Sequence, residues 1–526
     1  MVTEATEDGE TRSVPKPEWP ELQAEIEDLW EQEDFEAALA ICTRARRLFP
    51  ERPNVFRMLS KTLLNLGDAE EAERMLAAAH RKGLPEDQFL SAKLGILWQT
   101  GDKERYLKTA QALRKYPDHT TVLLLSRMVD TMLDLQEWDQ AAATANTLIR
   151  MEPTAGHMLK KIQARLEAGD PDTLTSVYKD PLLGLLPEDE FTDLMSQLQR
   201  FVTVRSQAAV DRLHRACQRW PRNTRLQHIL EAMERVTDGS DGDAVSWHVP
   251  RSRSLQEQLS TVLERLHGNK FFYNPDENLN VASAMERQIS ASTLKRELTI
   301  NPKEKAVVIS DRAPGGKVAV VFTGLLDQTA LPSDATDAFL AAAGYTTIYV
   351  KDFERLMYGN GIKALGPDLE SSAAALRQII DGMGDVTHVL AMGFSAGGFG
   401  AINFGMALKA DRVLCFSPPT MIEEGFLQKV GDRRGRLLLA RLKRSIAPEM
   451  LVAAPRIAAQ EDPVQIDLIY GEHHHLDRSH SEALGGLPGV SLYPIRDYDG
   501  HNSVVQTILD GHLLPILDGD MSGLEG

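Results

Sequence analysis

Residues 387–409 read THVLAMGFSAGGFGAINFGMALK. A short apolar run of strand length ends at Gly393, and an apolar run of helix length begins at Ala396. Between them lies Gly393-Phe394-Ser395-Ala396-Gly397, a G-x-S-x-G element in a strand–turn–helix setting. A serine presented at such a turn sits on a tight, strained bend, so the residues beside it must be small. The helix that follows points its N-terminus at the hydroxyl. It offers the backbone N–H of Ala396 to an oxyanion developing beside Ser395.

Outward from this point, apolar strands alternate with helices. KAVVIS (305–310), KVAVVFTG (317–324) and TTIYVKD (346–352) read as strands upstream, with SSAAALRQIIDGM (371–383) as a helix. LKRELTI (294–300) reads as another strand. RVLCFSP (412–418), QIDLIYG (465–471) and VSLYPI (490–495) are strands downstream, and NSVVQTILDGHLLPIL (502–517) closes as a helix. Apolar strands separated by helices predict one doubly wound, mostly parallel sheet covered on both faces.

A serine hydroxyl needs a base to become a nucleophile. The base is expected after the last strand, where IRDYDGHNSVVQTIL places His501 in a loop. The acid is expected after QIDLIYG, in the loop Glu472-His473-His474-His475-Leu476-Asp477-Arg478. Asp477 is the first choice, to orient the imidazole and offset its charge. Glu472 is the runner-up, and Asp477 has a competing role as the N-cap of DRSHSEALG. A second oxyanion donor is expected in the loop after KVAVVFTG, from the backbone N–H of Gly324 or Leu325. Residues 293–520 resemble the α/β-hydrolase family in the elbow, the order Ser395–Asp477–His501 and the strand–helix succession. GFSAGGFGAINFG, VLCFSPPT and DYDGHNSVV are similar to hydrolase-like proteins of bacterial surface-glycan assembly. One departure from the family is that His474 stands where many members carry the acid.

The first half has a different texture. A Gly-Asp-like pair recurs at Glu33-Asp34, Gly67-Asp68, Gly101-Asp102, Gln136-Glu137 and Gly169-Asp170, and the register reaches Val204. Prolines 50, 85, 117, 153, 187 and 221 close the units, and Ala38, Ala72, Ala141 and Ala208 follow the pair at four positions. Tyr106 and Leu174 depart from the small residue. This predicts two antiparallel helices per unit, with the pair at their turn and the alanine allowing close packing. It resembles the tetratricopeptide repeat family, with about six units over 20–236. The fifth unit is weak, with Pro171 and Pro181 inside its second helix. The resemblance implies a concave surface for a protein partner.

The expected organisation is therefore multidomain: an all-α tetratricopeptide-like solenoid followed by an α/β-hydrolase domain. Residues 1–19 are expected as a disordered tail, 237–256 as a Gly/Asp/Ser-rich linker, and 257–526 as the hydrolase domain. Within it, 420–460 is a lid-like insertion carrying Lys429, Arg433, Arg434, Arg436, Arg441, Lys443 and Arg444 among leucines, a cap suited to an anionic substrate. There, Met421, Phe426 and Leu427 are expected to line an acyl pocket. The 58 basic and 76 acidic residues give a net charge of −18, which argues against a general nucleic-acid coat. No apolar run reaches the ~18–20 residues of a membrane span. The acidic N-terminus lacks a secretion signal, and three scattered cysteines fit neither a disulfide framework nor a zinc site, so a cytoplasmic location is expected. No cofactor or metal is expected, because the consecutive histidines of HHHLDRSH cannot all face one ion from a regular element. The expected chemistry is serine hydrolysis of an ester or thioester, small-molecule or glycan. The alternatives are O-acyl transfer to a hydroxyl acceptor and a non-catalytic scaffold.

Overall fold

The computed structural model describes residues 2–5, 11–14, 17–170, 172–199, 206–234, 245–247, 253–268, 275–299 and 305–524. They form two compact units, Met1–Ala168 and Gly169–Gly526. No described helix is long and apolar enough to cross a membrane.

In the first unit, helices pair as the repeat predicts: Trp19–Glu31 with Phe35–Leu48, Pro53–Asn65 with Ala69–Arg81, Glu86–Thr100 with Lys103–Leu113, and Val122–Asp134 with Trp138–Met151. Ala155–Glu167 follows. The recurring pair has a backbone cause. Its first residue is left-handed every time, at Glu33, Gly67, Gly101, Gln136 and Gly169, which is why glycine is favoured there. Its aspartate then caps the second helix. Asp34 accepts from the Ala37 N–H at 3.0 Å, Asp68 from Glu71 at 3.0 Å and Asp102 from Arg105 at 3.2 Å. Ala38, Ala72 and Ala141 are fully buried, and Tyr106 fills its larger space against the Trp98 ring. The expected disordered tail is corrected in part. Val2–Ala5 (β1) and Thr11–Val14 (β2) pair antiparallel, as their β-branched residues favour. Residues 1, 6–10 and 15–16 of that tail lie outside the described residues.

The second unit begins inside the repeat register. Where the fifth unit is weak, its second helix is replaced by the short Thr173–Ser176 helix and tight turns at Val177–Lys179 and Pro181–Leu185. Pro181 opens the last turn, and Pro171 and Val204 lie outside the described residues. Helices Glu188–Leu198, Gln207–Arg219 and Thr224–Glu234 follow.

The sheet has eight strands: Val245–Trp247 (β3), Val307–Ile309 (β4), Lys317–Phe322 (β5), Tyr345–Val350 (β6), His388–Phe394 (β7), Arg412–Phe416 (β8), Gln465–Gly471 (β9) and Val490–Ile495 (β10). Their order is β10-β9-β8-β7-β5-β6-β4-β3. All neighbours are parallel except β4 against β6. The expected linker is thus corrected at its middle, where Val-Ser-Trp adds an edge strand. Residues 237–244 and 248–252 of it lie outside the described residues. Residues 294–299 are also not a strand. Their amides are drawn away from a ladder: Lys295 N–H donates to the Ala341 carbonyl, Leu298 N–H to Gln258 Oε1 and Thr299 N–H to Asp337. Arg296 beside them forms a fully buried two-pronged ion pair with Asp337, both contacts 2.7 Å. The closing helix breaks at Gly511 (φ 81°) into Ser503–Leu509 and Leu513–Leu517.

The core runs along the sheet through Val321, Leu390, Met392, Leu414, Phe416 and Ile469. Helix Leu255–Gly268 and the buried face of helix Pro275–Gln288 join it through Leu259, Val262, Val281 and Met285. This places β7, which carries the elbow, near the centre of the sheet.

Candidate active site

Ser395 stands between β7 and helix Ala396–Leu408 with φ 52° and ψ −124°, a conformation rarely adopted by a side-chain-bearing residue. Its own N–H is fixed to the Phe416 carbonyl at 2.8 Å. The flanking glycines are required by space. A Cβ on Gly393 would lie 2.1 Å from the Gly397 carbonyl oxygen, and one on Gly397 would lie 2.1 Å from the Phe322 carbonyl oxygen. Gly400, one turn into the helix, has the Tyr358 ring in the place of a Cβ.

His501 Nε2 lies 3.2 Å from Ser395 Oγ, and its Nδ1 lies 2.8 and 3.0 Å from the two Asp477 oxygens. Asp477 is buried, whereas His501 is half-buried beside the Phe394 ring. With Nδ1–H donated to the carboxylate, Nε2 presents a lone pair to the hydroxyl. Sheet order explains the meeting: β7, β8, β9 and β10 are successive neighbours, so the loops leaving β7, β9 and β10 emerge along one edge. Glu472 does not reach His501; its carboxylate accepts the Asp497 N–H at 3.2 Å. The N-cap position of helix His475–Glu482 belongs to His474, whose Nδ1 accepts the Asp477 N–H at 3.2 Å. Burial lowers the pKa of His474 below its ordinary value, outweighing the opposing charge of Asp477.

The two candidates for the second oxyanion donor separate. Gly324 N–H is already bonded to the Gln328 carbonyl at 2.8 Å, so the expectation for Gly324 is corrected. Leu325 lines the cavity over Ser395, as does Ala396. Ala396 opens its helix, so its N–H is among the first-turn donors that lack an intrahelical acceptor. The Leu325 loop is clamped from the far side. Arg355 donates to the Leu325 carbonyl and pairs with Asp327 at 3.0 Å.

The cavity over Ser395 has a volume of about 120 Å3. The 420–460 insertion supplies much of its wall, through Ile422, Asp432 and the first half of helix Arg433–Leu442. The apolar liners there are Ile422, Leu437 and Leu438, not Met421, Phe426 and Leu427 as expected. The register explains the exchange: Leu427 packs inside the insertion, and the Phe426 ring lies tilted against the His480 ring, their centroids 5.0 Å apart. Of the eight Lys and Arg residues between 420 and 460, Arg456 among them, only Arg434 lines the cavity.

Sequence reasoning missed three residues of the cavity wall, Asp432, His480 and Gln197. Asp432 and His480 form a buried pair in the wall, 3.4 Å apart. Burial alone would raise the Asp432 carboxyl, but the His480 contact and the Gly435 N–H more than offset it and hold it below the usual range. The signal available was the spacing of Asp477 and His480, three apart and so on one helix face. Gln197, from helix Glu188–Leu198, also lines the cavity, although its segment reads as repeat. As for metals, His474, Asp477 and His501 converge, but the Nδ1 atoms of both histidines are already engaged with Asp477. Glu472, His473 and Asp497 also converge, at the surface.

A tetratricopeptide repeat family model matches residues 29–92. No curated protein sequence matches the chain. Among solved structures, YrrB, described as a tetratricopeptide-repeat protein with an unusual peptide-binding site, is 13% identical. That match covers 39% of this chain and 88% of that one, with a TM-score of 0.24. An esterase of the bacterial hormone-sensitive lipase family is 14% identical over 52% of this chain and all of that one, with a TM-score of 0.30. Carboxylesterase CesB from Bacillus subtilis is 16% identical over 46% and 99%, with a TM-score of 0.28. The N-terminal region carries tetratricopeptide repeats. The second unit has an α/β-hydrolase fold, defined by its own eight-stranded, mostly parallel sheet and the elbow at the end of β7.

Proposed function

We propose that the second unit is a serine hydrolase acting on esters or thioesters, docked to a protein partner through its repeats. The observation that carries this reading is His501, whose two ring nitrogens bridge Ser395 Oγ at 3.2 Å and Asp477 at 2.8 Å. Ser395 Oγ attacks the acyl carbonyl as His501 Nε2 takes its proton, and Asp477 offsets the imidazolium charge. The tetrahedral oxyanion is stabilised by the N–H groups of Ala396 and Leu325, each typically worth ~3–4 kcal/mol. The carbonyl re-forms and the bond to the leaving group breaks. His501 returns its proton to the departing alcohol or thiol. Water, deprotonated by His501, then attacks the acyl-serine and releases the acid and free Ser395.

A fluorophosphonate probe should label the native protein and not Ser395→Ala. His501→Ala should lower turnover of a short p-nitrophenyl ester by ~10^4-fold or more. Labelling that survives in Ser395→Ala would mean that another residue is the nucleophile.

A further inference from the structure

The polar side chains around the cavity can be sorted by what each already holds. Asp477 and Ser395 are joined through His501. Asp432 faces His480 Nε2 and accepts the Gly435 N–H at 2.8 Å. Nδ1 of His480 accepts the N–H groups of Thr420 and Met421, at 3.2 and 3.3 Å, which leaves the proton on Nε2 for Asp432. The Ser417 hydroxyl lies 2.9 Å from that of Ser503. Gln197 and Arg434 are what remains. Among the described residues, neither side chain makes a hydrogen bond or ion pair.

The position of Arg434 is poor for the fold itself. It lies in the first turn of helix Arg433–Leu442, with Arg433 and Arg436 beside it and no acidic residue in that turn. Cations there meet the positive end of the helix dipole, a cost that the nearby N-cap carboxylate of Asp432 offsets only in part for so basic a turn. Its guanidinium is always charged, and the residue is exposed at the cavity wall. Both cavity carboxylates already face an imidazole, so the one charge around the cavity without a hydrogen bond or ion pair is positive, although the field of Asp432 reaches it. Ile422, Leu437 and Leu438 add apolar surface to the same wall.

We infer that Arg434, assisted by Gln197, selects an ester or thioester carrying a carboxylate or phosphate within reach of the bond that Ser395 attacks. This rests on the hydrolase reading above and narrows its substrate class. The anion gains a two-pronged, charge-assisted contact with the guanidinium. Gln197 supplies both a donor and an acceptor to the polar atoms beside that anion.

Two pairs of probes test it. Mono-4-nitrophenyl glutarate against 4-nitrophenyl valerate puts the charge on the acyl end. Acetyl-coenzyme A against S-acetyl-N-acetylcysteamine puts it on the leaving side. The native protein is expected to favour the charged member of one pair, which identifies where the anion sits. Arg434→Gln should lower that pair's charged-to-neutral ratio of kcat/KM by about 10- to 100-fold, and Arg434→Lys should keep most of it. Binding is read separately by calorimetry with the same probes in Ser395→Ala, with and without Arg434→Gln. A charged-to-neutral ratio that Arg434→Gln leaves unmoved, in rate and in binding, overturns the inference, as does a native preference for the neutral members. Charge-selective binding through Arg434 without any turnover would uphold the inference and sink the hydrolase reading instead.

Discussion

Ser395 and His474 are each held in a state that something else must maintain. The φ of 52° at Ser395 stores strain of the order of 1–3 kcal/mol, held by the fixed N–H and the two glycine contacts. His474 is held neutral by burial, with Nδ1 accepting the Asp477 N–H. Its protonation would turn Nδ1 from acceptor to donor, 3.1 Å from Asp477 Oδ2, in competition with His501. The sign of the pH effect follows. A histidine whose folded pKa lies below 6.5 takes up its proton more readily when unfolded. Stability held above pH 6.5 is therefore lost as the pH falls through the lowered value. His474→Asn keeps an N-cap side chain and removes this titration. The variant should lose less melting temperature than the native protein between pH 7.5 and pH 5, read by circular dichroism. Equal losses would show that His474 does not titrate in this window.

Among the elements, the loop after β6 has the clearest supporting role. Arg355, Met357 and Tyr358 all have positive φ, and Asp352 holds the bend by accepting the N–H groups of Leu356 and Tyr358 at 2.6 and 2.9 Å. From this buckle, Arg355 grips Leu325 and Asp327, and the Tyr358 hydroxyl lies 2.8 Å from the Thr323 carbonyl. Arg355→Met should free the Leu325 loop and lower kcat by about 10- to 100-fold with a smaller change in KM, since one oxyanion donor is misplaced. Affinity for a trifluoromethyl ketone, which mimics the tetrahedral adduct, should fall in step with kcat/KM. Unchanged ketone affinity would leave Arg355 with a purely structural role. The elbow, His501 and Asp477 were legible because each sits at a fixed place relative to a strand of clear pattern. The repeats were legible because a left-handed residue and a capping aspartate recur with the turn. Other features were not legible. Asp432 and His480 meet across 48 positions; β3 is three residues long. Residues 294–299 carry strand-like residues, but the amides of Leu298 and Thr299 are claimed by Gln258 and Asp337. Such pairings depend on tertiary packing that no local pattern encodes.

At the scale of the whole chain, the site gathers its parts from strands laid side by side toward one margin of the sheet. Ser395 follows the inner strand β7, Asp477 follows β9, and His501 follows β10, which pairs with β9 alone. Only Ile495 of β10 is fully buried, whereas six of the seven residues of β9 are. Separation of β10 from β9 costs far less burial than opening the sheet between its inner strands, and local opening of this kind precedes global unfolding. The imidazole is thus mounted on a margin of the sheet, where strands fray before the centre opens. Heating in small steps, with ester turnover and far-ultraviolet dichroism followed on the same sample, should show turnover disappearing at a lower temperature than helix and sheet signal. Coincident midpoints would mean that the margin is as firmly held as the centre. The catalyst, on this reading, falls silent while nearly all of its framework still stands, and cooling at that stage should restore it without the chain having to fold anew.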